Sequence, residues 1–563
     1  MYPPIRASLL LCLLGCGDDA PDELYVPLDS VASLHRVSMA LRGKRPSLDE
    51  IQRIEDNPKV LKEMATEYAA SEDFGKTIGD MYAERLLMRS TTLILPSVGA
   101  LEGVSASEVR DALSEEPIRI IEEVVNTDSS FGEIVNADWT ILDETAAKIW
   151  ADHTYDTTAG GIQKVTYTDD RPNAGILRAG SYLVRHESNG ANYNRSRANI
   201  IADTLLCASF SERDIPITGD IDLSDDLAVA EALLENAECV SCHQSIDPLA
   251  AHYWGYRNRL TPFQIATSYT NDCDGTLPPS FSCYPVSMYQ PTDLRAVSAK
   301  KELRGPNYWG AYTEHLGDVG AAIASDPRFS QCVAKTFLSY LTQAPSSDLQ
   351  TTEIARLQVV FDESGQSARS LAVDIVTSPA FLAESTDDPI EAPISGHQVT
   401  RPEQLERMVQ EWTGFTLSYR VSQLNVGDIR AMGDDVIGFR AMSGGVDGST
   451  VTSPTHTPTP VKLLAFAAYA EEAAGYVVTK EFSESATDRT LLRWVEPETI
   501  DETSIRTQIT TLIKLIHGTV VTEDDEHVSS LYSLWSSVGA SNPTEAWKVT
   551  LSAMFQSPDT LFY

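Results

Sequence analysis

Basic residues are scarce in this chain, cysteines are few, and no long apolar run follows the first sixteen positions. Lys and Arg total 43 against 81 Asp and Glu, a net charge of −38. A field of that sign repels phosphate backbones and anionic lipid headgroups, which argues against nucleic acid as a partner. Eight cysteines in 563 residues are too few for a disulfide-built scaffold. Beyond residue 16 no segment offers the roughly 18 consecutive apolar residues of a membrane-spanning helix. GxSxG, HExxH, the phosphate-binding P-loop and GxGxxG are all missing, so the usual hydrolase, metalloprotease and nucleotide signatures are absent. What remains is an ordinary folded composition, 42% hydrophobic and 22% charged, in a chain long enough for roughly two to four domains.

The first residues have a layout of their own. One positive charge lies in Met1–Arg6, an apolar stretch covers Ala7–Leu14, and Leu13-Leu14-Gly15-Cys16 follows. So short a stretch does not span a bilayer. It reads as a bacterial lipoprotein signal over 1–15, with the lipid on the Cys16 thiol. Acidic, proline-containing residues 16–27 then form a solvated tether. The expected location is the cell envelope, in an oxidising compartment, with the membrane touched only through that lipid.

Most of the remainder has helical spacing. Val31, Leu34, Val37, Ala40 and Leu41 recur at three- and four-residue intervals, Gly43 supplies a stop, and Pro46-Ser47 opens the next helix. Short strands are expected near 161–168 and 475–480. Loops rich in Gly, Pro, Tyr or Asn are expected at 154–175, 257–312 and 443–461. The expected fold is therefore mainly α, a helical multi-domain protein with loop-rich inserts: an N-terminal helical domain over 28–170, a central module over 171–345, a helical segment and acidic linker over 346–396, and a C-terminal helical domain over 397–563. Arg45-Pro46 is echoed by Arg401-Pro402, and Ser378-Pro379 by Ser557-Pro558. Duplication explains this echo, and so do coincident helix starts.

The chemistry centres on Cys239-Val240-Ser241-Cys242-His243. Two thiols at this spacing can add to the two vinyl groups of one porphyrin, and the adjoining histidine then ligates the iron. A bare CxxCH also occurs in zinc sites and redox dithiols. Zinc would want a second ligand pair at matching spacing, and a thioredoxin-like dithiol would follow a strand, whereas this motif follows the helical run 227–237. The reading is one covalent haem c on Cys239 and Cys242, with His243 as proximal ligand.

The run Cys239–Ala250, CVSCHQSIDPLA, resembles the CxxCH-xx-IDP element of a family of secreted cytochrome c-like proteins, abundant in planctomycetes and myxobacteria and built from domains of unknown function. Leu34–Ser47 is similar to that family's opening helix pair, 119–150 to a following segment containing Phe131–Asp138, and Ala174–Leu177, His186, Arg195–Arg197 and Leu205–Cys207 to the stretch before its haem motif. The resemblance implies a haem-binding exported protein passing single electrons between envelope redox partners. Leu249-Ala250-Ala251-His252 after Pro248 and Asn194-Arg195-Ser196-Arg197 depart from the family pattern. Two alternatives stand beside electron transfer: a haem-dependent oxidoreductase acting on an extracellular substrate, and a surface binding lipoprotein without a redox role.

A low-spin carrier needs a sixth iron ligand. Met288 and His186 are the candidates, His252 is a weaker one, and an open position is the remaining alternative. The histidines at 153, 315, 397, 456, 517 and 527 read as surface residues. Cys273 and Cys283 bracket a short loop suited to a disulfide, which leaves Cys207 to pair with Cys332. Asp220, Asp222, Ser224, Asp226 and Glu231 imitate EF-hand positions, but Asp225 stands where the sharp turn needs glycine, and a solvated acidic loop is the expectation.

Overall fold

A computed structural model describes residues 25–563 except 91–92, 189–192, 212–220, 223, 259, 261–264, 266–272, 274–281, 291–304, 390, 420–428, 434–437 and 540. The signal and lipid readings at 1–16, most of the tether, and Asp220 of the acidic loop fall outside these residues. The fold is mainly α, and among the described residues the strands form only two-stranded pairs.

Local signals explain most helix ends. In α1 (Ser30–Arg42) the Asp29 carboxylate accepts from the backbone N–H groups of Val31 and Ala32, and Gly43 closes the helix at φ +67°. Helix α2 (Leu48–Asp56) starts with a capping box between Ser47 and Glu50. After α3 (Leu61–Ala69) and α4 (Glu72–Arg85) comes the longest helix of the first half, α5 (Ala106–Asn126), which is also opened by a capping box, Ser105 with Glu108. Its buried face, including Val109, Leu113, Ile121 and Val124, packs on α4. The short helices α6 (Glu144–Ile149), α7 (Gly180–Arg185) and α8 (Arg195–Ile200) lead to α9 (Asp226–Glu235) and α10 (Ala237–Ala251). Four more, α11 (Leu316–Ala324), α12 (Pro327–Thr342), α13 (Thr351–Glu363) and α14 (Ala368–Val376), complete the wall around one continuous core running from Val31 to Ile394.

A second core begins with α15 (Pro402–Thr413). It continues through α16 (Phe439–Met442), α17 (Pro460–Glu481), α18 (Glu502–Leu512), α19 (Glu526–Gly539), α20 (Pro543–Phe555) and α21 (Pro558–Leu561). Met39 of α1 belongs to this second core. Polar contacts bind the two: Arg45 donates to the carbonyls of Asp559 and Phe562 at 2.6 and 3.0 Å. Gln404 Nε2 donates to the Met39 carbonyl. Asp80 accepts from both Arg89 and Arg407.

Three local expectations are corrected. Residues 475–480 are helical, the end of α17, because Val477 and Val478 extend the apolar face of Ala470, Ala473 and Ala474 into the second core. Tyr25–Pro27, read as the end of a tether, form strand β1, which pairs antiparallel with Ala383–Thr386 and so joins the two ends of the first core. His517 is buried, at 6% exposure, although it reads as a surface residue. Residues 163–165 do form a strand, paired with 140–142.

Among the described residues two disulfides are present. Cys207 joins Cys332 with Cα atoms 5.4 Å apart, tying the segment after α8 to α12, and Cys273 joins Cys283 at 5.8 Å. By the chain-entropy argument, a 125-residue separation makes the first worth about 5 kcal/mol.

Candidate functional site

Cys239, Cys242 and His243 lie on the first half of α10. The Asn236 side chain caps this helix, accepting from Glu238 N–H and Cys239 N–H. Positions three and four apart share a helix face, so the two thiols and the imidazole stand together. Both cysteines are unpaired and half-buried, whereas the four other described cysteines are in disulfides. Cys242 packs against the first core. The second half of α10 is different: Ile246 to Ala251 are all buried. Pro248 offers no N–H to the Gln244 carbonyl one turn back, a loss tolerated where Gln244 is exposed. The helix thus presents its thiols from one half and is anchored by the other.

Asp247 connects the two. Its carboxylate, 4% exposed, lies 3.0 Å from His243 Nδ1 and accepts from Arg195 Nε at 2.6 Å. Burial alone would raise its pKa, but hydrogen bonds from His243 and Arg195 outweigh it and hold the carboxyl below its usual value. An ionised carboxylate only accepts, so Nδ1 bears a proton, and in the neutral imidazole the lone pair is on Nε2. No described residue hydrogen-bonds that Nε2. Hydrogen-bonding the far nitrogen to a carboxylate is a common way to orient a metal-binding histidine. Arg195 sits at the start of α8, which packs on α10.

Arg197, fully buried, secures the surroundings. It donates to the carbonyls of Leu183, His186, Arg257 and Asn258 and to Asn194 Oδ1. One guanidinium therefore ties the end of α7 to the segment after α10.

The sixth-ligand candidates have contacts of their own. Met288 is fully buried, and its carbonyl accepts from Arg257 N–H at 2.9 Å in a short pairing of 287–290 with 255–257. That pairing follows the end of α10 in the chain. His186 is buried with its ring edge-on to Tyr182 at 4.9 Å. Burial, and then the charges of Arg185 and Arg197, push its pKa down to about 3. Neither residue makes a hydrogen bond or ring contact with His243. His252 has both ring nitrogens engaged, Nδ1 with Leu249 O at 3.1 Å and Nε2 with Thr313 Oγ1 at 2.8 Å. In the acidic loop, Asp222 Oδ1 accepts from the N–H and hydroxyl of Ser224, a local turn.

Among the cavities apart from the thiols, two are lined by aromatic or charged clusters. One of about 440 Å³, lined by His252, Trp254, Tyr256, Tyr289 and Tyr312, opens past the last turn of α10. The larger, about 650 Å³, is lined mostly by charge where the two cores meet, with Asp80, Arg89, Glu115, Glu122, Glu406 and Arg407 among its walls. Burial, and next the charge of Glu115, push Glu122 up to about 7. No spacing rule foretells this cavity, since its residues come from positions as distant as 80 and 407.

The donor set on α10 suits a covalently held porphyrin: two unpaired thiols a turn apart, beside an imidazole whose Nε2 is free and whose Nδ1 is fixed. No family model, curated protein or solved structure matches this chain.

Proposed function

We propose that this is a lipid-anchored monohaem cytochrome c-like protein of the bacterial envelope, passing single electrons between redox partner proteins there. Cys239 and Cys242 would hold haem c through thioethers, and His243 would ligate its iron. The resemblance of CVSCHQSIDPLA to secreted cytochrome c-like proteins supports this reading. So does the hydrogen bond from His243 Nδ1 to Asp247, the observation that carries it. The haem supplies one-electron chemistry at its iron. The chain's own residues do the rest: Asp247 keeps the proton on Nδ1 and directs Nε2 outward, and Arg195 balances the Asp247 charge. Arg197 and the Cys207–Cys332 bridge fix the segments around α10. No described helix is long and apolar enough to cross a membrane, and membrane attachment is assigned to the Cys16 lipid.

A second reading is an oxidoreductase with an exchangeable sixth position acting on an extracellular substrate, supported by the engagement of both His252 ring nitrogens elsewhere. Co-expression with a cytochrome c maturation system tests the first proposal. The pyridine haemochrome spectrum should give one haem c per chain, lost in Cys239→Ser/Cys242→Ser. Colourless wild-type protein would overturn both redox readings and leave a surface binding lipoprotein. Rapid carbon monoxide binding to the reduced protein would select the oxidoreductase over the carrier. Cys16→Ser should shift the protein to the soluble fraction, and unchanged membrane association would refute the lipid anchor.

A further inference from the structure

A second group of ligating side chains lies in the C-terminal half, far along the chain from the CxxCH motif. Helix α18 ends in a π-helical turn, Ile513–His517, followed by Gly518 at φ +75°. Such turns carry an extra residue and often re-aim a side chain. Here the glycine is obligatory twice over, because a Cβ would also come within 2.8 Å of the His35 ring. The turn carries His517 inward, leaving its side chain 1% exposed. His527, near the start of α19, lies alongside with its ring 5.1 Å away and nearly parallel, at 12°. Asp559 in α21 brings Oδ2 to 3.7 Å from His517 Nδ1.

The hydrogen bonding of His517 is lopsided. Nε2 lies 3.1 Å from the Met554 carbonyl, so it bears the proton. Nδ1 is then an acceptor, and it is buried with no hydrogen-bond partner. A buried acceptor left unmade is costly. Its lone pair faces a carboxylate, which offers no proton, and a second imidazole. Arg45 donates to the Asp559 backbone carbonyl, and Ser557 donates to Oδ2, steadying the side chain without filling the space between the three groups.

We propose that His517, His527 and Asp559 form a binding site for a divalent transition metal of the zinc class. One atom from each lies within 4.8 Å of the others, compared with about 3.3 Å between ligands of a tetrahedral site with bonds near 2.0 Å. A small inward movement of half-buried His527 and exposed Asp559 closes the difference. Two imidazoles and a carboxylate suit zinc rather than calcium or magnesium, which prefer all-oxygen sets. Water takes the fourth position. The Met554 carbonyl is the outer partner that fixes the ligating tautomer. The ion clamps α21 and the start of α19 to the π-turn.

The test uses full-length chain stripped with a chelator and titrated with Zn(II) by calorimetry and with Co(II) by visible spectroscopy. Free Cys239 and Cys242 could also take metal, so Cys239→Ser/Cys242→Ser is titrated in parallel. Both proteins should bind one ion at this site, with cobalt d–d bands and, in the cysteine-free variant, no sulfur-to-cobalt charge-transfer band. His527→Ala and Asp559→Asn alter partly exposed side chains and preserve the helical circular dichroism. Each should weaken that binding on the order of 100-fold or more, beyond the effect typical of an outer partner. Absence of binding in the cysteine-free variant, or binding there that both substitutions leave unchanged, would overturn the proposal.

Discussion

Asp247→Asn preserves the volume and one acceptor oxygen of the side chain but removes the charge that links His243 to Arg195. Two effects follow. The first is on stability: breaking a buried ion pair costs about 3–5 kcal/mol and an exposed one less than about 1. Asp247 is 4% exposed but Arg195 is 19% and His243 23%, so about 1–3 kcal/mol is expected, read from urea unfolding. The second is on redox potential. An anionic acceptor at Nδ1 raises the electron density at Nε2 and favours the ferric state, so its loss should raise the midpoint potential. Removing an outer partner typically costs 10–100-fold in metal affinity. Applied as a difference between oxidation states, that is about 60–120 mV for a one-electron couple. Spectroelectrochemical titration of the haem-loaded protein measures it. A midpoint within about 20 mV of wild type, well under half a decade, or a shift to lower potential, would refute the assignment of Asp247 as the partner of an iron ligand.

Cys332→Ser should cost about 3–5 kcal/mol, since the bridge closes a 125-residue separation; an unchanged urea midpoint would show that the bridge constrains nothing. Met288→Leu, which preserves packing, separates the sixth-ligand alternatives: loss of a methionine–iron band from the ferric spectrum would make Met288 the sixth ligand, and an unchanged spectrum would exclude it. Glu122, pushed up to about 7 in the folded chain, retains a proton that the unfolded chain has lost above about pH 4.3. Its contribution therefore falls as pH rises from there to about 7 and is level above. Glu122→Gln should stabilise the protein by about 1–2 kcal/mol at pH 8 and by almost nothing near pH 4, the figure being reduced because the group is not wholly buried; equal gains at both pH values would contradict the shifted titration.

The helices were legible where terminus signals and periodicity agree, as at Ser47 and Gly43. The two cysteine pairings were legible because a short loop closes easily and leaves one pair over. The strand expected at 475–480 failed because β-branched Val477 and Val478 continue an alanine-rich helical face, and burial outweighs their local preference. His243 and Asp247 are four apart and so share a helix face, a relation visible as soon as the motif is placed on a helix. The contribution of Arg195, 52 residues away, depends on the packing of α8 against α10, which periodicity does not encode. The burial of His517 was illegible for a related reason: a π-turn shifts the phase of the helix, and the side chain points where a 3.6-residue repeat would not put it.

The joint between the two cores bears on any attempt to take the molecule apart. The acidic stretch near 383–396 looks like a convenient place to cut, yet separate expression of the pieces would leave Met39 facing water on one fragment and its packing partners exposed on the other. Arg45 and Arg407 would each lose the groups they hold across the seam. Fragments made that way should clump or require co-production, and a subunit inventory built from them would describe damage rather than parts.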